Sequence, residues 1–400
     1  MKPNIKSLSL FDFLKMIPDR KAKIEAAPAT AVPKASSYKA NELAAALHPA
    51  RQYLKVAEIT EHCKDVKSFT LVPDADKGTK ALAYFSAGQY LSVFLTVGKA
   101  VLTRPYSISS SPKDSLDGKY VLTVKRVDGG LAANYILDNW VVGTEVETSA
   151  PEGVFTYEPL RDAKRIIGLA GGSGITPFLS LANAIADGDE DASLTLIYGS
   201  RTCSDILFKD EFDAIAKKCD KFKLVDVLSD EETENYEHGF ITADLIKKYA
   251  PSDEDYSIFV CGPQAMYNFV DKEIAKLGLR AKFIRHEVFG EYRNPARNAD
   301  YPKLTNTKFK LTVDICGDIK TVECDANDTL LNTLEHNGIP APARCRSGVC
   351  GWCRAKLVSG EVYIPKSVDG RRMADFDYGY VHPCCTFPLG DVSIIVSPVK

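Results

Sequence analysis

No run of about 18 apolar residues occurs in the 400-residue chain, so a membrane-spanning helix is not expected. An excess of one charge is also lacking. The 50 Lys and Arg against 53 Asp and Glu leave a net charge of −3, which gives no basis for wholesale binding to nucleic acid or to a membrane. The opening Met1-Lys2-Pro3-Asn4 has neither the apolar run nor the small-residue cleavage site of an export signal. The eleven cysteines are therefore not read as an extracellular disulfide framework, and a reducing cytoplasm is the expected setting. The length exceeds what one core supports and implies roughly two to four domains.

Four of the cysteines are organised. Residues 344–354 read R-C-R-S-G-V-C-G-W-C-R and set Cys345, Cys350 and Cys353 in the spacing C-x4-C-x2-C. That is the plant-type spacing for a [2Fe–2S] cluster, which takes a fourth thiolate from further along the chain. Pro383-Cys384-Cys385 offers two candidates. The distant fourth ligand is poor spacing for a zinc ribbon. A Rieske centre needs two histidines, and His382 is one candidate at most. Gly348 and Gly351 let backbone N–H groups turn toward the cluster sulfurs. A cluster does no substrate chemistry alone, so the rest of the chain is read as the machinery that loads it with electrons.

Residues 1–50 read as an extension, with an apolar stripe over 8–17, an Ala/Pro-rich linker over 26–37 and a short helical pattern over 41–47. Eight Lys and Arg against four Asp and Glu make it either a solvated arm or a basic docking arm for an acidic redox partner. From 51 to 160, short β-rich runs alternate with Gly, Pro and Asp turns, the pattern of a small antiparallel barrel. Three stretches in it carry chemistry. Arg104-Pro105-Tyr106-Ser107 combines a forked cation for phosphate, an aromatic face for a flat ring and a hydroxyl for a ring nitrogen. Val124-Lys125 runs into Gly129 and Gly130, which allow a close backbone approach to a pyrophosphate. A glycine turn follows in Pro151-Glu152-Gly153.

From 161 to 290 the pattern changes to alternating strands and helices, expected to form a parallel sheet covered by helices. Its first strand enters Gly171-Gly172-Ser173-Gly174-Ile175-Thr176-Pro177 and then a helix, so backbone N–H groups and a helix terminus face an anion. The spacing is not G-x-G-x-x-G, so the common dinucleotide fingerprint is not claimed. Cys261-Gly262-Pro263 closes a later strand where a ligand crevice opens. Alone, Cys261 reads as a small buried core residue. A polar linker (291–306) leads to a β-hairpin, a helix over 328–336 capped by Asp328, the cysteine loop and a final strand (domain 307–400). Cys316 and Cys324 are expected to pack on opposite arms of the hairpin.

In this order, R-P-Y-S, K-R-x-x-G-G, A-P-x-G-x-F, G-G-S-G-I-T-P, C-G-P and C-x4-C-x2-C resemble the ferredoxin-NADP reductase superfamily with a plant-type ferredoxin domain at its C-terminus. That is the arrangement of single-chain reductases serving multicomponent oxygenases and of the hybrid-cluster-protein reductase. The resemblance covers residues 53–398 and implies a β + α/β + β-grasp chain holding FAD, NADH or NADPH and the cluster. It implies that Arg104 holds the flavin phosphates, Tyr106 packs on the isoalloxazine with Pro105 beside it, and Ser107 lies near N5. Thr123, Val124 and Lys125 would follow the ribityl chain. Gly129, Gly130, Leu131, Ala132 and Ala133 would cradle the pyrophosphate, although Ala133 stands where many relatives have serine, which weakens FAD against FMN. Gly171, Gly172, Ser173, Gly174 and Thr176 would take the dinucleotide, with Cys261, Gly262 and Pro263 at the nicotinamide and Glu287 near the reacting pair. Ferredoxins place the fourth cysteine four residues before a proline, which selects Cys384 through Pro388.

A nicotinamide delivers two electrons and the cluster takes one, so a flavin between them must divide the pair. The expected function is an NAD(P)H-dependent reductase passing electrons to a separate acceptor protein, such as an oxygenase. The alternative is an electron-transfer subunit of a larger complex whose direction the partner sets, as in dihydroorotate dehydrogenase, although the cysteine gap from 353 to 384 is too wide for that relative. A flavohaemoglobin is excluded because 50 leading residues cannot hold a globin. Ser200 and Arg201 sit where the adenosine ribose should lie. They could hold a 2′-phosphate, but Arg201 could also stack on adenine, and the reading leans to NADH. The ferredoxin part balances eleven Lys and Arg with eleven Asp and Glu from 307 onward, so it is expected to dock on its own flavin domain.

Overall fold

The computed structural model describes residues 9–27, 38–288, 290–304 and 306–398. Met1–Leu47 and His48–Lys400 are separate compact units. In the first, Ser9 caps α1 (Leu10–Ala26) by accepting from the Asp12 N–H, and this helix runs nine residues beyond the expected 8–17 stripe. The second helix, α2 (Lys39–Leu47), buries none of its residues. The expected linker over 26–37 lies, from 28 on, outside the described residues.

The second unit begins with β1 (Gln52–Cys63), β2 (Val66–Pro73), β3 (Tyr90–Val97), β4 (Ala100–Ser107), α3 (Pro112–Leu116), β5 (Tyr120–Lys125), α4 (Leu131–Asn139) and β6 (Glu145–Thr148). The strands form one antiparallel sheet in the order β4-β3-β6-β1-β2-β5. It curls until Ile108, just past β4, bridges Leu122 of β5. Period-2 alternation turns Leu54, Phe69, Leu91, Leu122 and Val124 inward, and Ile136 and Leu137 of α4 join the buried residues. Each such fully buried side chain contributes about 1.5–3 kcal/mol.

Then come β7 (Arg165–Gly171), α5 (Thr176–Ala186), β8 (Ser193–Ser200), α6 (Lys209–Lys218), β9 (Phe222–Leu228), β10 (Glu237–His238), α7 (Ala243–Tyr249), β11 (Tyr256–Gly262), α8 (Gln264–Ala275) and β12 (Ile284–Val288). All six strands are parallel, in the order β10-β9-β8-β7-β11-β12. The chain therefore builds outward from β7 on one side and then crosses to place β11 on the other. That reversal opens a crevice beyond the C-terminal ends of β7 and β11, at Gly171 and Gly262.

The last sheet takes β13 (Lys308–Ile315), β14 (Asp318–Asp325), β15 (Ala355–Ser359), β17 (Tyr380–Val381) and β19 (Val392–Val396) in the order β14-β13-β19-β15-β17, with β16 (Val362–Tyr363) and β18 (Phe387–Pro388) paired apart. Across this sheet lies α9 (Leu330–His336); α10 (Met373–Asp377) precedes β17. The α9 cap is Thr329, not Asp328: the Thr329 hydroxyl accepts from the Asn332 N–H, while Asp328 accepts from the Thr329 N–H. Cys324 is buried as expected. Cys316 instead occupies the exposed hairpin turn at φ 55°, outside the packed arms.

Three observations join the ferredoxin-like part to the barrel. Glu335 of α9 accepts from the Thr103 N–H at 3.1 Å and pairs with Arg104 at 2.8 Å. Arg346, the largest fully buried side chain, pairs with Glu335 at 2.7 Å and Glu291 at 2.5 Å, and Glu291 also pairs with Arg104 at 2.9 Å. Gly338 passes so close to the Lys99 carbonyl oxygen that a Cβ would come within 2.6 Å of it. The expected internal docking is therefore present, and Glu291 is not a passive linker residue.

Asp226 of β9 is buried with Oδ1 unpaired, and Lys209 Nζ stands 3.9 Å from Oδ2. Burial pushes its carboxyl up to about 6, with Lys209 opposing. Between its ordinary 3.8 and about 6 the folded chain keeps a proton that the unfolded chain has lost, so stability falls as pH rises through that window and stays reduced above it. Asp226→Asn should remove that slope. Urea melts are expected to show the variant matching the parent at about pH 4 and exceeding it at about pH 8 by up to ~3 kcal/mol.

Candidate active site

A cleft of about 490 Å³ runs between the barrel and the parallel sheet. It gathers most of the residues singled out in the sequence. Arg104, Pro105, Tyr106 and Ser107 reach it from the end of β4, and Thr123 and Lys125 from β5. Gly130, Leu131, Ala132 and Ala133 bring the N-terminus of α4, and Gly171, Gly172, Ser173, Gly174 and Thr176 bring the loop into α5. Cys261, Gly262 and Pro263 come from the end of β11. Val124 instead points into the barrel core, and Gly129 lines a neighbouring cavity.

The local chemistry fits a flavin and a dinucleotide. Ser107 Oγ is buried without a hydrogen-bond partner, as a hydroxyl awaiting a ring heteroatom would be. The Thr123 hydroxyl is already held by Ser68 at 2.8 Å and Ser109 at 3.2 Å, which leaves its main chain for a ligand. Gly174 runs against β11: a Cβ there would lie 2.2 Å from the Cys261 carbonyl oxygen. Only glycine permits that approach, which brings the loop over the strand end. Lys125 Nζ reaches across from the barrel toward Gly172. Tyr198 donates to the Gly172 carbonyl at 3.1 Å and steadies the loop.

Behind the cleft, Cys261 and Glu287 are buried on adjacent strands in direct register. Burial, then the Glu287 charge, pushes the Cys261 thiol well up. Burial, then the Cys345 thiolate, pushes the Glu287 carboxyl up to about 8. Tyr267 donates to the Glu287 carbonyl and accepts from the Gly262 N–H, which ties the two strand ends together. Glu287 thus stands between a residue of the cleft and a residue of the cysteine loop.

In that loop the thiols fall into two pairs. Cys345 and Cys350 hydrogen-bond side chain to side chain, as do Cys353 and Cys384. Among the described residues no three ligating side chains are arranged around a single ion. Two pairs suit a two-iron cluster instead, each iron taking two thiolates. Backbone N–H groups of Cys350 and Trp352 point at Cys345 Sγ and Cys350 Sγ, each at 3.4 Å. Hydrogen bonds from Cys353 and Cys385, with the Gly348 N–H and the Arg346 cation, draw the Cys384 thiol well below its usual range. Cys385 Sγ faces the His382 carbonyl at 3.4 Å. His382 is committed to the Gly348 carbonyl through Nδ1 at 2.6 Å.

Ser200 and Arg201 lie outside the cleft, at the end of β8. Arg201 is held by Asp230 at 2.9 Å, and Glu231 and Asp205 accept from the N–H groups of Cys203 and Thr202. Asp205 is local to Arg201 in the chain, whereas Asp230 and Glu231 come from beyond the neighbouring strand β9. Sequence reading missed Glu291, Arg293 and Arg346 in the cleft wall; Glu291 pairs with Arg104 and Arg346, which are remote from it in the chain.

Comparison with known proteins follows this layout. Residues 53–157 match the oxidoreductase FAD-binding domain, 169–272 the oxidoreductase NAD-binding domain and 313–389 the 2Fe-2S iron-sulfur cluster binding domain. The chain is similar to NADH oxidoreductase HCR of Escherichia coli, 30% identical over 340 residues that cover 85% of this chain and 96% of that one. It is 27% identical over 357 residues to the glycine betaine monooxygenase reductase subunit of Pseudomonas aeruginosa, covering 86% and 95%. The solved structure of phthalate dioxygenase reductase superposes with a TM-score of 0.63 at 26% identity, over 87% of this chain and 98% of that one.

Three substitutions test the site. Cys384→Ser should abolish the cluster absorbance bands, while Cys385→Ser keeps them; the reverse would make Cys385 the ligand. Gly174→Ala should stop reduction by pyridine nucleotide while flavin remains bound, as read from anaerobic spectra.

Proposed function

The chain belongs to the single-chain flavin reductases of the ferredoxin-NADP reductase superfamily that carry a C-terminal plant-type [2Fe–2S] domain, and we propose from that premise that its donor is NADH and its acceptor an oxygenase component. It is an NAD(P)H oxidoreductase that passes electrons through FAD and the cluster to a separate acceptor protein. When bound, FAD supplies the exchange between a two-electron hydride donor and a one-electron acceptor.

The observation that carries the reading is the buried neighbourhood shared by Cys261, Glu287 and Cys345, which brings the nucleotide crevice against the cysteine loop. In this reading the glycine loop and Lys125 seat the dinucleotide phosphates, and the close Gly174–Cys261 contact aims the nicotinamide at the end of β4. Tyr106 gives the flat ring a wall and Ser107 a hydrogen bond. Glu287, predominantly protonated near neutral pH, offers a proton-bearing carboxyl rather than a charge beside the reacting pair. The packed interior around Cys261 excludes water.

NADH is favoured by electrostatics. A 2′-phosphate arriving at Arg201 meets Asp230, Glu231 and Asp205, and Arg201 is already neutralised by the first of them. The relatives named as reductase subunits of glycine betaine monooxygenase and 3-ketosteroid-9-alpha-monooxygenase support an oxygenase acceptor.

Anaerobic stopped-flow mixing with each nucleotide tests this directly. NADH is expected to bleach the flavin band first and the cluster bands second, with kcat/KM at least about tenfold above NADPH, a gap of ~1.4 kcal/mol. Asp230→Ala should free Arg201 and narrow that ratio. Equal rates with the two nucleotides, or a faster NADPH, would overturn the donor assignment.

A further inference from the structure

A second cavity, of about 550 Å³, lies beside the cleft, between the β3–β4 hairpin, residues 291–294 and α9 of the ferredoxin domain. The two meet at Arg104, Leu131, Glu291 and Arg293, which line both. That junction is the N-terminus of α4, where Gly129 turns at φ 64° and the first N–H groups of a nine-residue helix face outward. Of the six Lys and Arg side chains in the two walls, Arg104 and Arg346 are offset by Glu291 and Glu335, and Arg126 by Asp138 and Asp65, which leaves Lys99, Lys125 and Arg293 against Asp328. Glu291 is held well below the usual carboxylate range, to about 2; burial opposes this, and the Arg346 and Arg104 cations outweigh it. The surplus of positive charge therefore faces a polyanion whose phosphates sit at the junction.

From this geometry we infer that the ferredoxin domain itself binds the adenosine half of FAD. The reading rests on the FAD-dependent function above and extends it. With the pyrophosphate at Arg104 and α4, the flavin ring occupies the first cleft and the adenosine the second cavity. There Tyr292 offers an aromatic face, and the Asn327 amide, the Asp328 carboxylate and the His336 ring offer polar groups suited to a purine edge and a ribose diol. All but Tyr292 belong to the ferredoxin domain. The cofactor thereby bridges the barrel and the cluster domain at the place where Glu335 and Arg346 already join them. It also explains how the chain dispenses with a hydroxyl at Ala133: part of the dinucleotide's hold comes from the other domain. FMN, which lacks the adenosine, fills the cleft without making the bridge.

The test uses the full-length chain with its cluster intact and its flavin removed. Titration with FAD and with FMN, followed by flavin fluorescence, gives the two dissociation constants. Amide hydrogen exchange reads Leu330–His336 at saturation with each flavin. FAD is expected to slow exchange in this helix and FMN to leave it as in the flavin-free chain. The double substitution Asn327→Ala and His336→Ala, at two exposed side chains, is expected to weaken FAD about tenfold and leave the FMN constant unchanged. Equal protection by the two flavins, or an FAD-to-FMN affinity ratio that the double substitution does not move, overturns the inference. Failure to bind either flavin would overturn the reductase reading itself.

Discussion

Four charges buried at one seam hold the working arrangement together. Arg104 of the barrel, Glu291 of the connecting segment and Glu335 and Arg346 of the ferredoxin domain form a closed set of two cations and two anions. Removing ions from water costs several kcal/mol each, and such a set survives only when every member is paired and hydrogen-bonded. Asn332 supplies part of that satisfaction by accepting from Arg346 and donating to Glu291. Loss of one member strands the opposite charge at a largely buried seam, which in fully buried sets costs about 3–5 kcal/mol. The set links the two domains, since each cation meets both anions across the seam. The left-handed backbone of Arg346, at φ 58°, belongs to the same constraint. A non-glycine residue holds that conformation only where its surroundings compensate.

The other features follow from that seam. With the cysteine loop pressed on the barrel, Cys345 lies near Tyr90 and Glu287, so the cluster end of the route adjoins the strand that carries the nucleotide crevice. The crevice comes from sheet topology, since a reversal of strand order leaves two strand ends without a helix between them. The glycine at 174 converts that opening into a close approach. Neither the crevice nor the loop gains from the other unless the domains are aligned, and the buried charges at the seam contribute to that alignment.

Much of the site was legible because its signals are local. A tight turn over a phosphate needs glycines within a few residues, and two irons need thiols at short spacing, so R-P-Y-S, G-G-S-G-I-T-P and C-x4-C-x2-C stand out without any fold. The alternation of strands and helices expected over 161–290 was equally local, and it is found as β7 to β12 interspersed with α5 to α8. Errors arose where a choice depended on neighbours in space. Asp328 looked like a cap, yet Thr329 takes that place. Cys316 looked like a packing residue of the hairpin, yet the turn leaves it exposed.

By itself, the sequence determined the three modules, their order and the cofactors they take, since the motifs behind each rest on spacing within a few turns of chain. Tertiary structure alone decided how the modules meet and which charges answer which. Arg104 and Glu335 stand 231 positions apart, and Arg201 and Asp230 stand 29 apart across two parallel strands. Pairing over such separations depends on strand order and domain docking, and a linear pattern of residues carries no record of either.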